Sequence, residues 1–544
     1  MKKTILQIWI LLSFQIIFSQ KYAKNVEIKW TKQIISEKVF VIDDIITHDN
    51  TGYYTKTLKS FSRNKFIQHY DNNFSLDKSR VIELGKGKDK RRIFKLFGLT
   101  NKLYMITTNI NKKNKKNTLF VETFDKETLK QNNDRRKIEE IDFKNAIKRH
   151  NGSFRMKFSN DSSKIVIYKQ IPYSKLQDNS IIMFDIFDNQ MNMIWQKKVS
   201  LPYSNNLFQI LDFTIDNEGN VSFVSKIYKN ICRNEVNKKV NYTIKIFHYP
   251  FKSDKQFKYK VDLNNHFLDE LELISDNNNN IICAGFFSDK HTLFGRLNWS
   301  RNKREINGIH VLKINTKLGK KVYEKHEFFS KELVSQYLDK KQKKKMAKAL
   351  SKGEHFGLEQ YKLTEIRLKS DGGLYMIGEC ITPEYGLGTE IGGGASRNIL
   401  NRFYHNSNVV VVNIASTGDI VWAHQIPKKQ NLSSCSIYFN KSDAYTSMLF
   451  NDKIYLLYKD NVKNLTSNIN KEGKIYGLKN CKNTTLVLAS FDKKGNLLRE
   501  IIKKPKVFDI CISSHLSKQI DYNTMVIYGV GGKKHRFAKL IFKN

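Results

Sequence analysis

Apolar residues fall at alternate positions through LDFTIDNEGNVSFVSKI (Leu211–Ile227), LELISDNNNNIICAGFF (Leu271–Phe287) and LTEIRLKSDGGLYMIGEC (Leu363–Cys380), each time on both sides of a polar turn. A period of two marks strands with distinct faces, so each segment reads as a hairpin. Looser copies, such as FRMKFSNDSSKIVIYKQ and YTSMLFNDKIYLLYKD, repeat the construction, and a second hairpin follows in most units, as in IIMFDIFDNQMNMIWQKKVSLP and TLVLASFDKKGNLLREII. Units of four antiparallel strands, a to d, therefore begin near residues 38, 92, 151, 207, 266, 360, 434 and 506. Sheets of this kind bury their faces against one another, and a closed ring of them leaves no long edge open. The pattern predicts an all-β chain folded as a β-propeller of eight four-stranded blades, with seven as the alternative count.

Tryptophan fixes how the ring closes. In IKWTKQI, MIWQKKV and IVWAHQI, Trp30, Trp195 and Trp422 share the frame W-x-[KH]-[QK]-[IV], which in the last two belongs to strand d. The first copy has no blade before it. At the other end, Val507–Leu516, Thr524–Gly531 and Arg536–Phe542 read as strands a, b and c, after which the chain stops. The expectation is one blade built from both ends, with residues 20–544 forming a single domain and no terminal edge left to recruit foreign strands.

The first residues, MKKTILQIWILLSFQIIFSQ, have a basic start, an apolar stretch and a small residue at Ser19. That is the pattern of a secretory signal over 1–19, implying export to the periplasm or cell surface. No later apolar run approaches the roughly 20 residues of a spanning helix. The chain carries 94 Lys+Arg against 52 Asp+Glu, a formal charge of +42. Such an excess attracts polyanions. Most of it is Lys spread along the chain, dense only at NKKNKKN (Asn111–Asn117) and KKQKKKMAK (Lys340–Lys348), which gives no ground for specific nucleic-acid recognition. A protein or a polyanionic glycan is the expected partner. The six cysteines form no CxxC and no zinc spacing, so neither a metal nor a cofactor is expected, and most read as buried single thiols.

Two local motifs carry a resemblance. AxTGxxxW at Ala415–Trp422 resembles the repeat of quinoprotein-type propellers, and SDGG at Ser370–Gly373 resembles the Asp-box turn of sialidase-like propellers without its completing Trp. As a whole the chain resembles secreted bacterial β-propeller proteins with degenerate repeats and no assigned activity. The resemblance implies the fold, no cofactor and no glycosidase activity.

In this strand order the a–b and c–d turns lie at one end of the ring, and the b–c and d–a connections at the other. Four b–c connections are long, over 229–241, 288–308, 382–408 and 461–483, and SKELVSQYLDKKQKKKMAKALSKG is inserted at about 330–352. With Ser330 as N-cap and Gly353 as stop, the insertion predicts one amphipathic helix whose stripe is Leu333, Val334, Tyr337, Leu338, Met346, Ala349 and Leu350. All these excursions share one face, where loops on a rigid scaffold concentrate binding residues. Asp371, Gly372 and Gly373 sit at the opposite, short-turn end and read as a turn. Glu379 ends strand b toward the elaborated face, as a pairing, binding or reacting carboxylate. Glu354 and His355, with Glu359 near, offer a base and an orienting partner. Arg296, Trp299 and Arg301, with Arg397, Arg402, Tyr404 and His405, combine guanidinium and aromatic groups suited to binding. GLGTEIGGGAS (Gly386–Ser396) lacks GK[ST] and reads as a mobile loop. The functional expectation is a non-enzymatic binding or scaffold propeller. The alternative is a glycan-active hydrolase or lyase with its acid and base at the mouth of the ring.

Overall fold

The computed structural model describes residues 23–543, apart from 36–39, 60–63, 100–101, 145–149, 174, 176–177, 231–239, 277, 290–304, 360, 393–394, 432–444, 467–474, 479–483, 503–510 and 532–533. The expected signal segment lies outside these residues. Eight antiparallel sheets of four main strands follow one another in the order a–b–c–d. Blades 1 to 7 span 40–81, 92–142, 153–204, 208–261, 267–328, 361–426 and 446–501, and blade 8 spans 511–542 with a strand from the N-terminus. The chain is an eight-bladed β-propeller, and the seven-bladed count is excluded.

Each blade presents alternate residues to its two neighbours, because side chains point to opposite faces along a strand. Val311 enters the apolar cluster between blades 5 and 6, while the adjacent Leu312 enters the one between blades 4 and 5. Every junction in the ring has such a cluster, including the one where Ile42, Tyr53 and Tyr70 of blade 1 meet Val526, Tyr528 and Phe537 of blade 8.

Blade 8 is completed as the tryptophan frame predicts. Val26–Trp30 pairs antiparallel with the last strand, Lys534–Phe542, with Val26 opposite Phe542 and Trp30 opposite Ala538. Ile34 and Ile35 continue the pairing to His535 and Lys534. Beyond the ladder, Lys543 N–H donates to Asn25 O at 3.0 Å and Ala23 N–H to Ile501 O of blade 7 at 3.3 Å. Val26, Leu540 and Phe542 then close over Met448 and Leu486 of blade 7.

Strands a of neighbouring blades approach one another and line the central channel. Their inner edges have no strand partner, and side chains from adjacent blades take that role. Arg155 Nη2 lies 3.4 Å from Leu211 O, Asp212 Oδ2 accepts Leu273 N–H at 3.0 Å, and Glu270 Oε2 accepts Leu363 N–H at 3.2 Å. Thr446 Oγ1 donates to Ser517 O at 3.1 Å, Gln519 bonds both N–H and O of Leu449, and Lys518 Nζ donates to Ile45 O at 3.2 Å. In blades 1, 2, 4, 5 and 6 the a–b register shifts just before Asp44, Lys95, Asp212, Glu270 and Glu365. A bulge re-aims the following side chain, here always a charged one.

The short turns repeat one device. Asp216, Asp276, Asp188 and Asp492 each accept the backbone N–H groups two and four residues on, and each binds the amide of the Asn at the fourth position. This is Asx-turn chemistry. Asp371 follows it in part: Oδ1 accepts Gly373 N–H at 2.7 Å, and Gly372 takes φ 80°, so SDGG is the turn expected.

Removing residues through Ile35 will bare the edge of Lys534–Phe542. Size-exclusion chromatography is expected to show concentration-dependent oligomers, and a synthetic peptide of residues 23–35 is expected to restore the monomer. An unchanged monomeric profile and melting temperature after truncation would contradict this account of closure.

Candidate functional site

The insertion after blade 5 forms two helices where one was expected. Ser330 caps the first, Lys331–Ser335, its Oγ accepting Leu333 N–H at 3.2 Å. Asp339 then opens a second, Lys340–Leu350, through a capping box: Asp339 Oδ1 accepts Gln342 N–H at 2.8 Å and Gln342 Oε1 accepts Asp339 N–H at 3.0 Å. A residue that caps so well starts a helix and does not continue one, so the apolar stripe is split. Leu333 and Val334 anchor the first part against blade 6, and Met346 alone in the second helix is buried. Gln425 at the end of strand d fastens the assembly, donating to Leu333 O at 2.7 Å and to Gln336 Oε1 at 3.0 Å. Lys340, Lys341, Lys343, Lys344, Lys345 and Lys348 are all exposed.

The b–c excursion of blade 5 meets the end of this insertion: Glu305 pairs with Glu359 and Ile306 with Leu358. These two excursions thus share one face, while most of the expected connections 229–241, 288–308 and 461–483 lies outside the described residues. His355 stacks on Phe328 at 4.0 Å and places Nδ1 2.6 Å from Asp289 Oδ2, while His266 Nδ1 lies 2.8 Å from Asp289 Oδ1. The expected pairing of Glu354 with His355 is replaced by this one: Glu354 is exposed, and its backbone N–H closes the helix end on Ala349 O at 3.0 Å. Behind them His310 Nε2 lies 3.2 Å from Glu324 Oε1. Burial first, then His310 and His266, push His326 down to about 4. Among the described residues no group of three or more His, Cys, Asp or Glu is placed to hold a metal.

Glu379, expected at the end of strand b, lies inside it, since the strand runs on to Gly392, and it does not face solvent. It is 1% exposed, with its carboxylate on the ammonium of Lys428, itself 0% exposed. Lys428 also reaches Gln430 Oε1 at 3.3 Å, and Gln430 donates to Lys459 O of blade 7 at 2.9 Å. Burial raises the carboxyl pKa of Glu379 and Lys428 opposes the rise. The residue is a tie between blades 6 and 7.

The b–c segment of blade 6 is backbone-paired where a mobile loop was expected. Strands Leu374–Gly392 and Ala395–Ile414 pair along their whole length to Gly392 opposite Ala395. Arg397, Arg402, Tyr404 and His405 occupy its returning strand, opposite Glu390, Tyr385, Pro383 and Thr382. Arg296, Trp299 and Arg301 lie outside the described residues. Cys283 and Cys380 are free thiols, and burial pushes Cys380 up to about 11.

The channel contributes groups the sequence reading missed. Lys157 Nζ sits 2.7 Å and Arg155 Nη2 3.4 Å from Asp212, and Arg367 Nε sits 2.6 Å from Glu365. Glu272 is different: burial, with Asp212, Glu365 and Glu270 nearby and Lys157 only partly compensating, pushes it up to about 7. Lys518 opens to the channel, but the walls desolvate it and lower its pKa. Nothing in a single sequence tells which inward positions of distant blades converge.

No protein-family model and no curated protein matches the chain. Solved structures similar to it include the WD40 domain of SCAP from fission yeast, at 7% identity over 96% of this chain and 99% of that one, TM-score 0.37. Sqt1 of Saccharomyces cerevisiae is similar at 9% identity over 97% and 99%, TM-score 0.37. An ulvan lyase from a family of polysaccharide lyases is similar at 10% identity over 94% and 96%, TM-score 0.38. At these values neither activity nor ligand passes from them to this chain.

Two stability predictions follow from the buried charges. Lys428→Ala leaves Glu379 buried without its cation and is expected to lose about 3–5 kcal/mol in denaturant unfolding, with the double change K428M/E379L recovering most of it. Because Glu272 holds its proton more tightly folded than its ordinary value of 4.5, its share of stability is present below that value and is lost as pH rises toward about 7. Glu272→Gln is therefore expected to match the parent near pH 4 and to exceed it at pH 8, by on the order of 2 kcal/mol. Parallel pH–stability curves would contradict the placement of Glu272.

Proposed function

We propose that this chain is an exported, non-enzymatic binding propeller that captures a polyanionic glycan on its elaborated face. The observation that carries this reading is the helix Lys340–Leu350: six lysines are exposed and one methionine is buried. The capping box fixes where that helix starts, and Met346 seats it in the apolar cluster between blades 5 and 6, behind a first segment that Gln425 ties to blade 6. A fixed array of ammonium groups pairs with a repeating anionic polymer at little ordering cost. The groups that a hydrolase or lyase would use at the ring mouth are largely engaged in structure. Asp212 and Glu270 accept backbone N–H groups, Glu365 holds Arg367 and Ser447, and Glu379 holds Lys428. Glu272, raised to about 7, is the observation that favours the enzymatic alternative.

The test separates placed charge from total charge. K341Q/K344Q/K345Q/K348Q removes four charges from the helix; K317Q/K320Q/K493Q/K494Q removes four exposed ones from the opposite rim. Affinity for alginate, polygalacturonate and heparin is measured from 50 to 500 mM salt. The helix variant is expected to bind about tenfold more weakly and with a shallower salt slope, the rim variant within about twofold of the parent. Equal losses would reduce the interaction to the overall charge of the chain.

A further inference from the structure

Two cavities open along the channel wall of blades 6, 7 and 8, one of them reaching Ile274 and Ser275 of blade 5 and Asn160 of blade 3. One, of about 690 Å³, extends from Glu379 and Tyr445 at the elaborated end to Tyr522; the other, of about 790 Å³, takes in Ser370 and Asn451 at the short-turn end. They share Arg367, Gln519 and Tyr522, so together they run the depth of the wall. Each is in the range that holds a small ligand.

Their lining differs from the rest of the surface. In a chain of +42, the charged groups on these walls are Arg367 and Lys518 against Glu365, Glu379, Asp452 and Asp521. Internal partners meet them: Glu365 holds Arg367, Lys428 holds Glu379, and His48 Nε2 lies 3.0 Å from Asp521. A polyanion gains nothing by entering. Hydrogen-bonding capacity remains, however, because a guanidinium has five donors and Arg367 gives two contacts here, to Glu365 at 2.6 Å and to Ser447 Oγ at 3.0 Å. Tyr522 stands at the short-turn mouth, 65% exposed, its hydroxyl held by Asn451 and its ring 5.1 Å from that of Phe450. A large exposed ring fixed at both ends beside a polar cavity has an apolar face to offer and little entropy to lose.

We propose that this channel wall is a second binding site, for a neutral saccharide. Sugar hydroxyls accept from the remaining N–H donors of Arg367, and the apolar face of a sugar ring stacks on Tyr522. The site stands independently of polyanion capture by the lysine helix, whose lysines do not line it.

Isothermal titration calorimetry with neutral hexasaccharides of β-1,4-glucan, β-1,3-glucan, α-1,4-glucan, mannan and xylan tests it. At least one is expected to bind saturably, changing less than about twofold between 50 and 500 mM salt. Tyr522→Ala is expected to weaken that binding about tenfold with an unchanged melting temperature, Tyr522→Trp to retain it, and Arg367→Lys to weaken it comparably. K341Q/K344Q/K345Q/K348Q is expected to leave it unaltered, which distinguishes its failure from failure of the polyanion reading. Absence of saturable binding across the panel, full affinity in Tyr522→Ala, or abolition by salt overturns the proposal.

Discussion

Pairing between Val26–Trp30 and the last strand turns a row of sheets into a ring, and every other feature of the molecule presupposes it. A row of eight blades would end in two bare apolar faces, and no single blade in such a row would be enclosed at the ends. Closure places an apolar cluster at the junction of blades 8 and 1 like those elsewhere, so each blade is buried on both faces. The ladder is only five residues long before its extension to Ile34 and Ile35, which makes its register the point where the whole circle is fixed. Beyond its Val26 end, Lys543 bonds Asn25 and Ala23 bonds Ile501, so the N-terminal strand is fastened to blade 7 as well as to the last strand.

Closing the ring removes the outer edge problem and leaves an inner one. Strand a of each blade exposes one row of backbone groups to the channel, and such groups are costly when neither water nor a partner meets them. Bulges in five blades bring a charged side chain to this edge, where Asp212 and Glu270 reach the next blade, and Lys518 of blade 8 likewise reaches blade 1. The same charges that resemble a catalytic constellation are thus the fasteners of adjacent blades. Glu272, lying between such fasteners and lacking their compensation, takes the electrostatic consequence in its raised pKa.

The fold was legible because its determinants are local and repeated. Period-two alternation, turn residues and the W-x-[KH]-[QK]-[IV] frame each act within a few residues, and together they located all eight blades and the closing strand. The helical insertion was legible in position and in its first cap, Ser330, but not in its break, since Asp339 reads as one more polar residue until its side chain meets Gln342. Glu379 was read as a carboxylate that could pair, bind or react, and the choice among these was not legible. Its partner Lys428 lies 49 residues on, and burial of the pair depends on blade 7 closing over blade 6. Likewise His355 found Asp289 across 66 residues, where proximity in sequence had pointed to Glu354. Site chemistry in a propeller is assembled from separate blades, so composition names the participants and only the ring chooses the pairs.

A strongly basic chain that lines part of its channel with more carboxylates than cations has two electrostatic environments, the lysine helix on the elaborated face and the channel wall. Over the lysine helix, attraction is long-ranged and screened by salt, with a Debye length of about 10 Å at 0.1 M. Within the wall, Arg367 lies on Glu365 and Lys518 donates to the backbone carbonyl of Ile45, so the proposed recognition there depends on hydrogen-bond geometry and ring stacking, which salt barely alters. A polymer carrying both charged and neutral stretches would therefore be drawn first to the helix and sorted afterwards by the wall, the long-range step setting the encounter rate and the short-range step setting the lifetime.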